Sequence, residues 1–281
     1  MKLLRYGPPG EEKPGILDGG GAIRDLSGHV GDITGETIGV ETLARLRGID
    51  PASLPKVAGR PRIGPCVGNV GKFVAIGLNY SDHAKEAGMA IPDEPLIFTK
   101  ATSSISGPDD AIVMPRGASK VDWEVELGIV IGGHAKYVDE VEALGAIAGY
   151  CVVNDVSERA FQLETSGQWV KGKSADTFGP IGPWLVTADE VPEPQNLHLW
   201  LEVNGERAQD GSTRTMIFPV PYLVSFVSRF MSLQPGDIIT TGTPPGVGHG
   251  RSPPAYLNPG DIVTLSVEGL GAQRQEVLAA Y

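Results

Sequence analysis

The segment Val121-Asp-Trp-Glu-Val-Glu-Leu-Gly-Ile-Val-Ile131 predicts a buried β-strand with an acidic face. Side chains alternate between the two faces of a strand, so Asp122, Glu124 and Glu126 are expected on one side of it. Ionised carboxylates are rarely buried without a partner, and divalent cations such as Mg²⁺ or Ca²⁺ are bound through carboxylate oxygens. The segment alone leaves two interpretations open: a metal-binding strand, or an edge strand whose acidic face is exposed to solvent.

The composition indicates many short strands joined by tight turns. The 281 residues include 38 glycines and 23 prolines, whereas aromatic residues make up only 6%. This is typical of a mostly β fold and disfavours a helical bundle. We expect an α+β, mostly β, fold with a small N-terminal α+β domain over residues 1–65 and a larger domain over residues 66–281.

Local patterns predict the main elements of both parts. Asn204-Gly205 predicts a hairpin turn, and Pro-Gly at 235–236 and 259–260 predicts type II turns that each lead into a strand. Further strands and helices are predicted as follows: strands at Lys2–Tyr6, Lys13–Asp18, Phe73–Gly77, Leu96–Lys100, Gly149–Asp155 and Leu197–Val203, and helices near Val40–Arg47, Asn79–Ala87 (capped by Asn79 or Ser81), Asp139–Ala148 and Pro221–Met231.

Charge and cysteine content restrict the partners and the compartment. A formal net charge of −11 disfavours a nucleic acid or an anionic membrane as partner. The two cysteines, Cys66 and Cys151, are far apart in sequence, so a reducing compartment is expected and Cys151 is interpreted as a packing residue. No secretory signal or membrane-spanning run is recognised, since the longest candidate, residues 217–231, contains two prolines and Arg229. We therefore expect a cytoplasmic protein.

Three further residues are candidates for chemistry. Asp155 ends an apolar strand, where it could complete a three-carboxylate metal site or cap the following helix. His83 and Glu86 are three residues apart, so on a helix they share a face and could act as a general acid/base pair, although such pairs are also common on surfaces. Gly77 and Gly88 bracket this segment and would allow it to move as a lid.

Two glycine-rich loops are candidates for binding an anionic substrate. Lys173 follows Gly172 and could bind a substrate oxyanion, although most lysines in loops are only solvated. The loop 240–248 offers hydroxyl and backbone N–H groups to a carboxylate. The chain has no Walker A, G-x-G-x-x-G or G-x-S-x-G motif, which disfavours phosphate or dinucleotide cofactors and a serine nucleophile.

Several motifs, taken in order, resemble the fumarylacetoacetate hydrolase superfamily from about residue 66 to the C-terminus. They are Gly77-Leu-Asn-Tyr-Ser-Asp-His-Ala84 with Glu86, Glu94-Pro-Leu-Ile-Phe-Thr-Lys100, Glu124-Val-Glu-Leu-Gly128, Asn154-Asp155, Lys173-Ser174 and Thr241-Gly-Thr-Pro244.

The resemblance implies a mixed β-roll fold, a homodimer or dimer of dimers, and a bound Mg²⁺ or Mn²⁺. It implies that the metal ligands are Glu124, Glu126 and Asp155, that His83 and Glu86 form a lid pair that activates water, and that Lys173 assists at the substrate oxygens. The implied substrate-binding residues are Lys100, Arg159, Gln162 and Thr243, the last at the substrate carboxylate.

The N-terminal segments Met1-Lys-Leu-Leu-Arg-Tyr-Gly7 and Lys13-Pro-Gly-Ile-Leu-Asp18 resemble a narrower group, the 2,4-diketo-3-deoxy-L-rhamnonate or L-fuconate hydrolases. This implies cleavage of the C3–C4 bond of a small anionic 2,4-dioxo acid to pyruvate and L-lactate. Ala160 and His249 depart from the pattern and concern the part of the site that would bind the substrate tail. The alternatives are an acylpyruvate hydrolase, an oxaloacetate decarboxylase, a 2-hydroxyhepta-2,4-diene-1,7-dioate-type isomerase, or a non-catalytic, metal-stabilised binding protein.

Overall fold

The structure, a computed structural model, describes residues 1–86 and 88–280. Its strands are β1 (Lys2–Tyr6), β2 (Lys13–Leu17), β3 (Ile23–Asp25), β4 (Phe73–Gly77), β5 (Leu96–Lys100), β6 (Ile105–Ser106), β7 (Ile112–Val113), β8 (Val121–Asp122), β9 (Val125–Ile131), β10 (Ile147–Asn154), β11 (Ser157–Glu158), β12 (Gly179–Thr187), β13 (His198–Val203), β14 (Glu206–Ser212), β15 (Ile238–Thr240), β16 (Ile262–Val267) and β17 (Gly271–Leu278). Its α-helices are α1 (Val40–Arg47), α2 (Ser81–Glu86), α3 (Glu140–Gly145), α4 (Arg159–Leu163), α5 (Val170–Lys173) and α6 (Val220–Phe230).

A large mixed sheet carries the site. Its strand order is β3-β2-β1-β12-β10-β9-β15-β4-β5, and β6 pairs with β12. Within this order β15 runs parallel to β4, whereas β9 and β10 are antiparallel over their whole length. A second sheet of order β14-β13-β16-β17-β7 packs behind it, and the buried apolar side chains of both sheets share one core cluster. The expected α+β, mostly β, fold is confirmed.

The predicted turns have the required backbone conformations. Asn204 and Gly205 both have positive φ, 54° and 80°, in the hairpin between β13 and β14. Gly236 and Gly260, with φ of 90° and 95°, take the position of each Pro-Gly turn that favours glycine. Four of the predicted helices are present as α1, α2, α3 and α6, with ends shifted by up to three residues. Residue 87, the last of the predicted 79–87 helix, lies outside the described residues.

The acidic segment is not one strand, as predicted, but two. Val121–Asp122 pairs with β11, and Val125–Ile131 enters the large sheet, so Trp123 and Glu124 between them belong to neither. The Asp122 carboxylate accepts backbone N–H groups from Trp123, Gly248 and His249, and it shares Nη2 of Arg159 with Glu124. Asp122 therefore lies beside Glu124 but is not one of the three carboxylates that come close enough together to hold a metal ion.

The N-terminal segment extends the large sheet, because β1 pairs with β12. Leu3 and Ile16 from this segment belong to the same buried cluster as Val130 and Ile238 from the later part of the chain. A division at residue 65 remains a prediction, since sheet pairing does not show whether either part folds independently. Cys151 is fully buried in this cluster, in agreement with its interpretation as a packing residue. In the described part of the chain, no helix has the length and hydrophobicity needed to cross a membrane.

Gly149 lies where a side chain on β10 would push the neighbouring strand β12 away. A Cβ at this residue of β10 would lie 2.0 Å from the backbone oxygen of Val186 in the neighbouring strand. A backbone carbonyl in a sheet cannot rotate away, so Gly149→Ala should lower the free energy of unfolding by about 3 kcal/mol, measured by urea denaturation. The matched control is Gly145→Ala in α3, where a Cβ meets nothing within 4 Å and the change should stay within about 0.5 kcal/mol. Equal denaturation midpoints for the two variants would contradict this account.

Candidate active site

Three carboxylates meet where the start of β9 lies beside the end of β10. The antiparallel register places Glu126 opposite Val153, and the N–H group of Asp155 donates to the carbonyl oxygen of Glu124 at 2.9 Å. One carboxylate oxygen from each of Glu124, Glu126 and Asp155 lies within 4.8 Å of the others, and all three residues are buried. Strand pairing thus brings together acids that are about 30 residues apart in sequence.

Three cationic side chains surround this cluster. Nζ of Lys173 lies 2.8 Å from Oε2 of Glu124 and 2.6 Å from Oδ2 of Asp155. Nζ of Lys100 lies 2.5 Å from Oδ1 of Asp155, and Nη2 of Arg159 lies 2.6 Å from Oε1 of Glu124. Burial disfavours the charge on Glu124, but Lys173 and Arg159 outweigh burial and lower its pKa to about 2. Burial lowers the pKa of Lys100, whereas Asp155 and Glu124 overcome burial at Lys173 and raise its pKa.

Glu126 is the carboxylate whose charge is least compensated by protein groups. Burial, followed by the charges of Asp155 and Glu124, raises its pKa well above the usual range. Its Oε2 accepts hydrogen bonds from the Thr240 hydroxyl at 2.5 Å and from the N–H group of Gly242 at 2.8 Å. Three buried carboxylates whose oxygens lie within 4.8 Å of one another are the donor set that a hard divalent cation favours. Glu124, Glu126 and Asp155 therefore fit an Mg²⁺ or Mn²⁺ ion.

Asp155 does not cap the following helix. The N-cap of α4 is Glu158, whose carboxylate accepts the N–H group of Phe161 at 2.6 Å. Both oxygens of Asp155 contact lysine ammonium groups instead. Of the two interpretations that the sequence leaves open, the structure supports the three-carboxylate cluster.

The pair His83 and Glu86 lies on α2 at the opening of the same site. Nδ1 of His83 is 3.1 Å from Oε2 of Glu86, as the three-residue spacing predicts. The carboxylate of Glu86 also accepts the backbone N–H group of Gly246, at 3.1 Å to Oε1. The predicted cap was Asn79 or Ser81, but both side chains bond elsewhere. The Asn79 amide group donates to the carbonyl oxygens of Phe218 and Thr241, and the Ser81 hydroxyl donates to the carbonyl oxygen of Thr215.

One cavity of about 470 Å³ joins the carboxylates to the His83–Glu86 pair. Eight of the ten predicted site residues line it: His83, Glu86, Glu124, Glu126, Arg159, Gln162, Lys173 and Thr243. The other two, Lys100 and Asp155, do not line it and form the buried ion pair described above. The structure thus brings together all ten site residues that the sequence analysis predicted. The role of each residue remains a prediction.

Two of these residues have surroundings that the sequence did not predict. Lys173 ends the short helix α5 and does not lie in a loop. The hydroxyl of Thr243 donates to the carbonyl oxygen of Val125 at 2.9 Å and accepts from Nε2 of Gln209 at 2.8 Å. These bonds use the hydroxyl to hold the loop after β15 against β9, so a substrate carboxylate would share it with the protein.

Apolar cavity residues were missed by the sequence reasoning. Met89, Phe98, Leu163 and Trp169 line the cavity, and the rings of Phe98 and Trp169 are in an edge-to-face arrangement with centroids 5.2 Å apart. Each comes from a different segment, and no local pattern distinguishes them from core residues. His249, singled out only as a departure from the family pattern, also lines the cavity.

The comparisons with known proteins agree with this arrangement. Residues 72–278 match the sequence model described as the fumarylacetoacetate (FAA) hydrolase C-terminal domain. The chain belongs to the fumarylacetoacetate hydrolase family. A family member of Burkholderia multivorans that carries only a provisional hydrolase name is 65% identical over 281 residues, which are 100% of each chain.

Two solved structures of the family have similar folds. The fumarylacetoacetate hydrolase of Exiguobacterium antarcticum is 36% identical and has a TM-score of 0.87 over 99% of each chain. The maleylpyruvate hydrolase of Sphingobium sp. SYK-6, solved in complex with manganese (II) ion and pyruvate, is 28% identical and has a TM-score of 0.83 over 100% of each chain. Members of this family thus include a hydrolase that binds Mn²⁺, and the chain described here has an acidic triad that could bind such an ion.

Proposed function

We propose that this protein is a metal-dependent hydrolase that cleaves the C3–C4 bond of a 2,4-dioxo acid and releases pyruvate. One observation carries the proposal: a three-carboxylate cluster and a His–Glu pair line the same cavity. A non-catalytic, metal-stabilised binding protein would not need the His–Glu pair. The pair's position at the opening suits a group that acts on the part of the substrate farther from the carboxylates.

The cluster end of the cavity would bind the 2-keto acid end of the substrate. Glu124, Glu126 and Asp155 would hold Mg²⁺ or Mn²⁺, which when bound supplies Lewis-acid stabilisation of negative charge. Lys173 and Arg159 add positive charge at the same end, and both are held in place by buried ion pairs. These local positive charges would let the site bind an anionic substrate although the net charge of the protein is −11.

The other end of the cavity, at the His83–Glu86 pair, would activate the attacking water. Glu86 is expected to take a proton from water while His83 fixes the direction of the carboxylate through its Nδ1 contact. The resulting hydroxide adds to C4, the C3–C4 bond breaks, and its electron pair passes to C3 and the adjacent keto group. A proton then adds to C3, which completes pyruvate, and the C4 fragment leaves as a carboxylic acid. Gly77 and Gly88, on either side of α2, would let this helix move as the substrate enters.

The substrate tail is proposed to be a deoxy sugar, as in 2,4-diketo-3-deoxy-L-rhamnonate or L-fuconate, with L-lactate as the second product. Support comes from the N-terminal segments that resemble this group and from the mixed lining of the cavity. Gln162 and His249 offer hydrogen-bonding groups for hydroxyls, and Phe98 and Trp169 offer apolar surface for a methyl group.

A substrate panel tests the proposal. The protein should release pyruvate and a second acid in equal amounts from acetylpyruvate or from the sugar acids, with Mg²⁺ or Mn²⁺ present. A chelator should stop the reaction, and added metal should restore it. Carbon dioxide and pyruvate from oxaloacetate alone would indicate a decarboxylase, and a shifted double bond in an unsaturated dioxo acid would indicate an isomerase. Either result, without cleavage of a 2,4-dioxo acid, would contradict the proposed function.

We also expect a cytoplasmic homodimer or dimer of dimers. Exposed apolar side chains on and beside α3 and α6, namely Tyr137, Val141 and Phe230, support an assembly through this surface. Sedimentation analysis would detect it, and a monomer at micromolar concentration would contradict it.

A further inference from the structure

We propose that Asp122 is a positioning residue that sets the relative placement of the carboxylate cluster and the lid carboxylate Glu86. The proposal rests on the proposed function for its kinetic consequence. Asp122 is the acid of β8, is fully buried, and is not one of the three carboxylates of the cluster. It lines neither the cavity nor the predicted metal site, so no role follows for it from the family motifs.

The Asp122 carboxylate holds the loop that follows β15. Its Oδ1 accepts the backbone N–H group of Gly248 at 2.7 Å, and its Oδ2 accepts that of His249 at 2.9 Å. Hydrogen bonds from N–H groups to a buried carboxylate are stronger than those between neutral groups. The loop is thereby fixed to the short strand β8, which ends two residues before Glu124.

This loop in turn holds the lid. The N–H group of Gly246 donates to both oxygens of Glu86, at 3.1 and 3.2 Å, and its carbonyl accepts Nε1 of Trp123 at 3.2 Å. Gly246 has φ of 104°, and a Cβ there would lie 2.1 Å from the backbone oxygen of Ala208. The loop therefore has little room to adjust at this point. A change in its placement should pass directly to the direction of the N–H group that contacts Glu86.

Asp122 also controls a cation of the cluster. Nη2 of Arg159 lies 2.8 Å from Oδ2 of Asp122 and 2.6 Å from Oε1 of Glu124, so one guanidinium is shared between the two acids. If Asp122 loses its charge, Arg159 should pair more strongly with Glu124 alone. Because Glu124 is a predicted metal ligand, a stronger competing ion pair should weaken divalent-cation binding.

Asp237 provides a matched control. It is also fully buried, and it accepts two backbone N–H groups, from Lys72 at 2.8 Å and from Gln234 at 2.7 Å. It forms an ion pair with the Lys72 ammonium at 2.6 Å. The two acids therefore have similar burial and similar bonding, but Asp122 contacts the loop at Gly248 and His249 and the cluster cation Arg159, whereas Asp237 contacts Lys72 and Gln234. A purely structural role for Asp122 would make their variants behave alike.

The test compares Asp122→Asn with Asp237→Asn in three measurements: kcat and KM for pyruvate release, Mg²⁺ and Mn²⁺ affinity by calorimetry, and hydrogen–deuterium exchange of the segment 245–250. Asp122→Asn should lower kcat by about tenfold or more, weaken metal binding by about threefold or more, and speed exchange in this segment. Asp237→Asn should lower the thermal midpoint but leave kcat and exchange of 245–250 unchanged. Trp123→Phe removes the bond to the Gly246 carbonyl together with part of a buried ring. It should speed exchange in the same segment, and it keeps the loop part of the proposal testable if Asp122→Asn does not fold.

Unchanged kcat or unchanged exchange of 245–250 in folded Asp122→Asn would overturn the proposal, as would an equal loss of kcat in Asp237→Asn. Unchanged exchange in Trp123→Phe would do so if it is the only folded variant. If the wild-type protein cleaves no 2,4-dioxo acid, the proposed function fails. The exchange and metal-binding measurements then still decide whether Asp122 couples the loop to the cluster.

Discussion

Glu126→Gln should abolish divalent-cation binding and lower kcat for pyruvate release by about a thousandfold or more, because a lost Lewis acid is worth several kcal/mol. The same change should raise the thermal midpoint of the metal-free protein. Burial and the neighbouring Asp155 and Glu124 raise the pKa of Glu126, so its ionised form destabilises the folded protein above its unfolded pKa. A neutral amide of the same shape removes that destabilisation at neutral pH. Calorimetry with Mn²⁺, steady-state kinetics and thermal unfolding check the three parts of the prediction.

Glu158→Gln is the matched control for this variant. Glu158 is also fully buried, but its carboxylate accepts backbone N–H groups from Ser119, Lys120 and Phe161 and does not lie in the three-carboxylate cluster. Glu158→Gln should therefore lower the thermal midpoint and retain cation binding, whereas Glu126→Gln should raise the midpoint and abolish binding. Wild-type Mn²⁺ affinity in Glu126→Gln would show that the cluster is not the metal site.

The sequence predicted elements well where the signal is local. The turn at Asn204-Gly205 and the helix at Val40–Arg47 depend on residues adjacent in the chain, and both occur as predicted. The acidic segment shows the limit of such reasoning. Alternation predicts one continuous strand through Asp122 and Glu126, but β8 pairs with β11 and β9 pairs with β10, and these partners are chosen by distant residues. A break between two strands with different partners leaves no trace in the local alternating pattern.

In the candidate site, too, local patterns predicted some features, whereas others depend on residues that are distant in sequence. Local patterns left Asp155 undecided between a helix cap and a metal ligand, because both need an acid after a strand. The pairing of β10 with β9 decides it, since it brings Asp155 next to Glu124. Phe98 and Trp169 could not be selected from the sequence at all, since apolar residues that line a cavity have the same composition as those that fill a core. The ordered motifs therefore identified the polar residues of the site. They did not identify the apolar residues that line the rest of the cavity.

Glu86→Gln should lower kcat by about a thousandfold, in the middle of the range for loss of a general base, while cation affinity stays at the wild-type value. The amide keeps the size of the side chain but cannot take a proton from water. KM should change little, since the groups expected to hold the keto acid lie at the other end of the cavity. His83→Ala combined with Glu86→Gln should be no slower than Glu86→Gln alone, because two groups that act on one water lose their effect together.

Lys85→Gln is the control on the same helix, since Lys85 is exposed and does not line the cavity. It should retain wild-type kcat, so that a loss in Glu86→Gln cannot be attributed to the helix as a whole. A folded Glu86→Gln variant that still cleaves a 2,4-dioxo acid at the wild-type rate would remove the His83–Glu86 pair from the mechanism. The water would then have to be activated at the carboxylate cluster, and Glu126→Gln, but not Glu86→Gln, would be inactive. The two variants together therefore separate the roles of the two ends of the cavity.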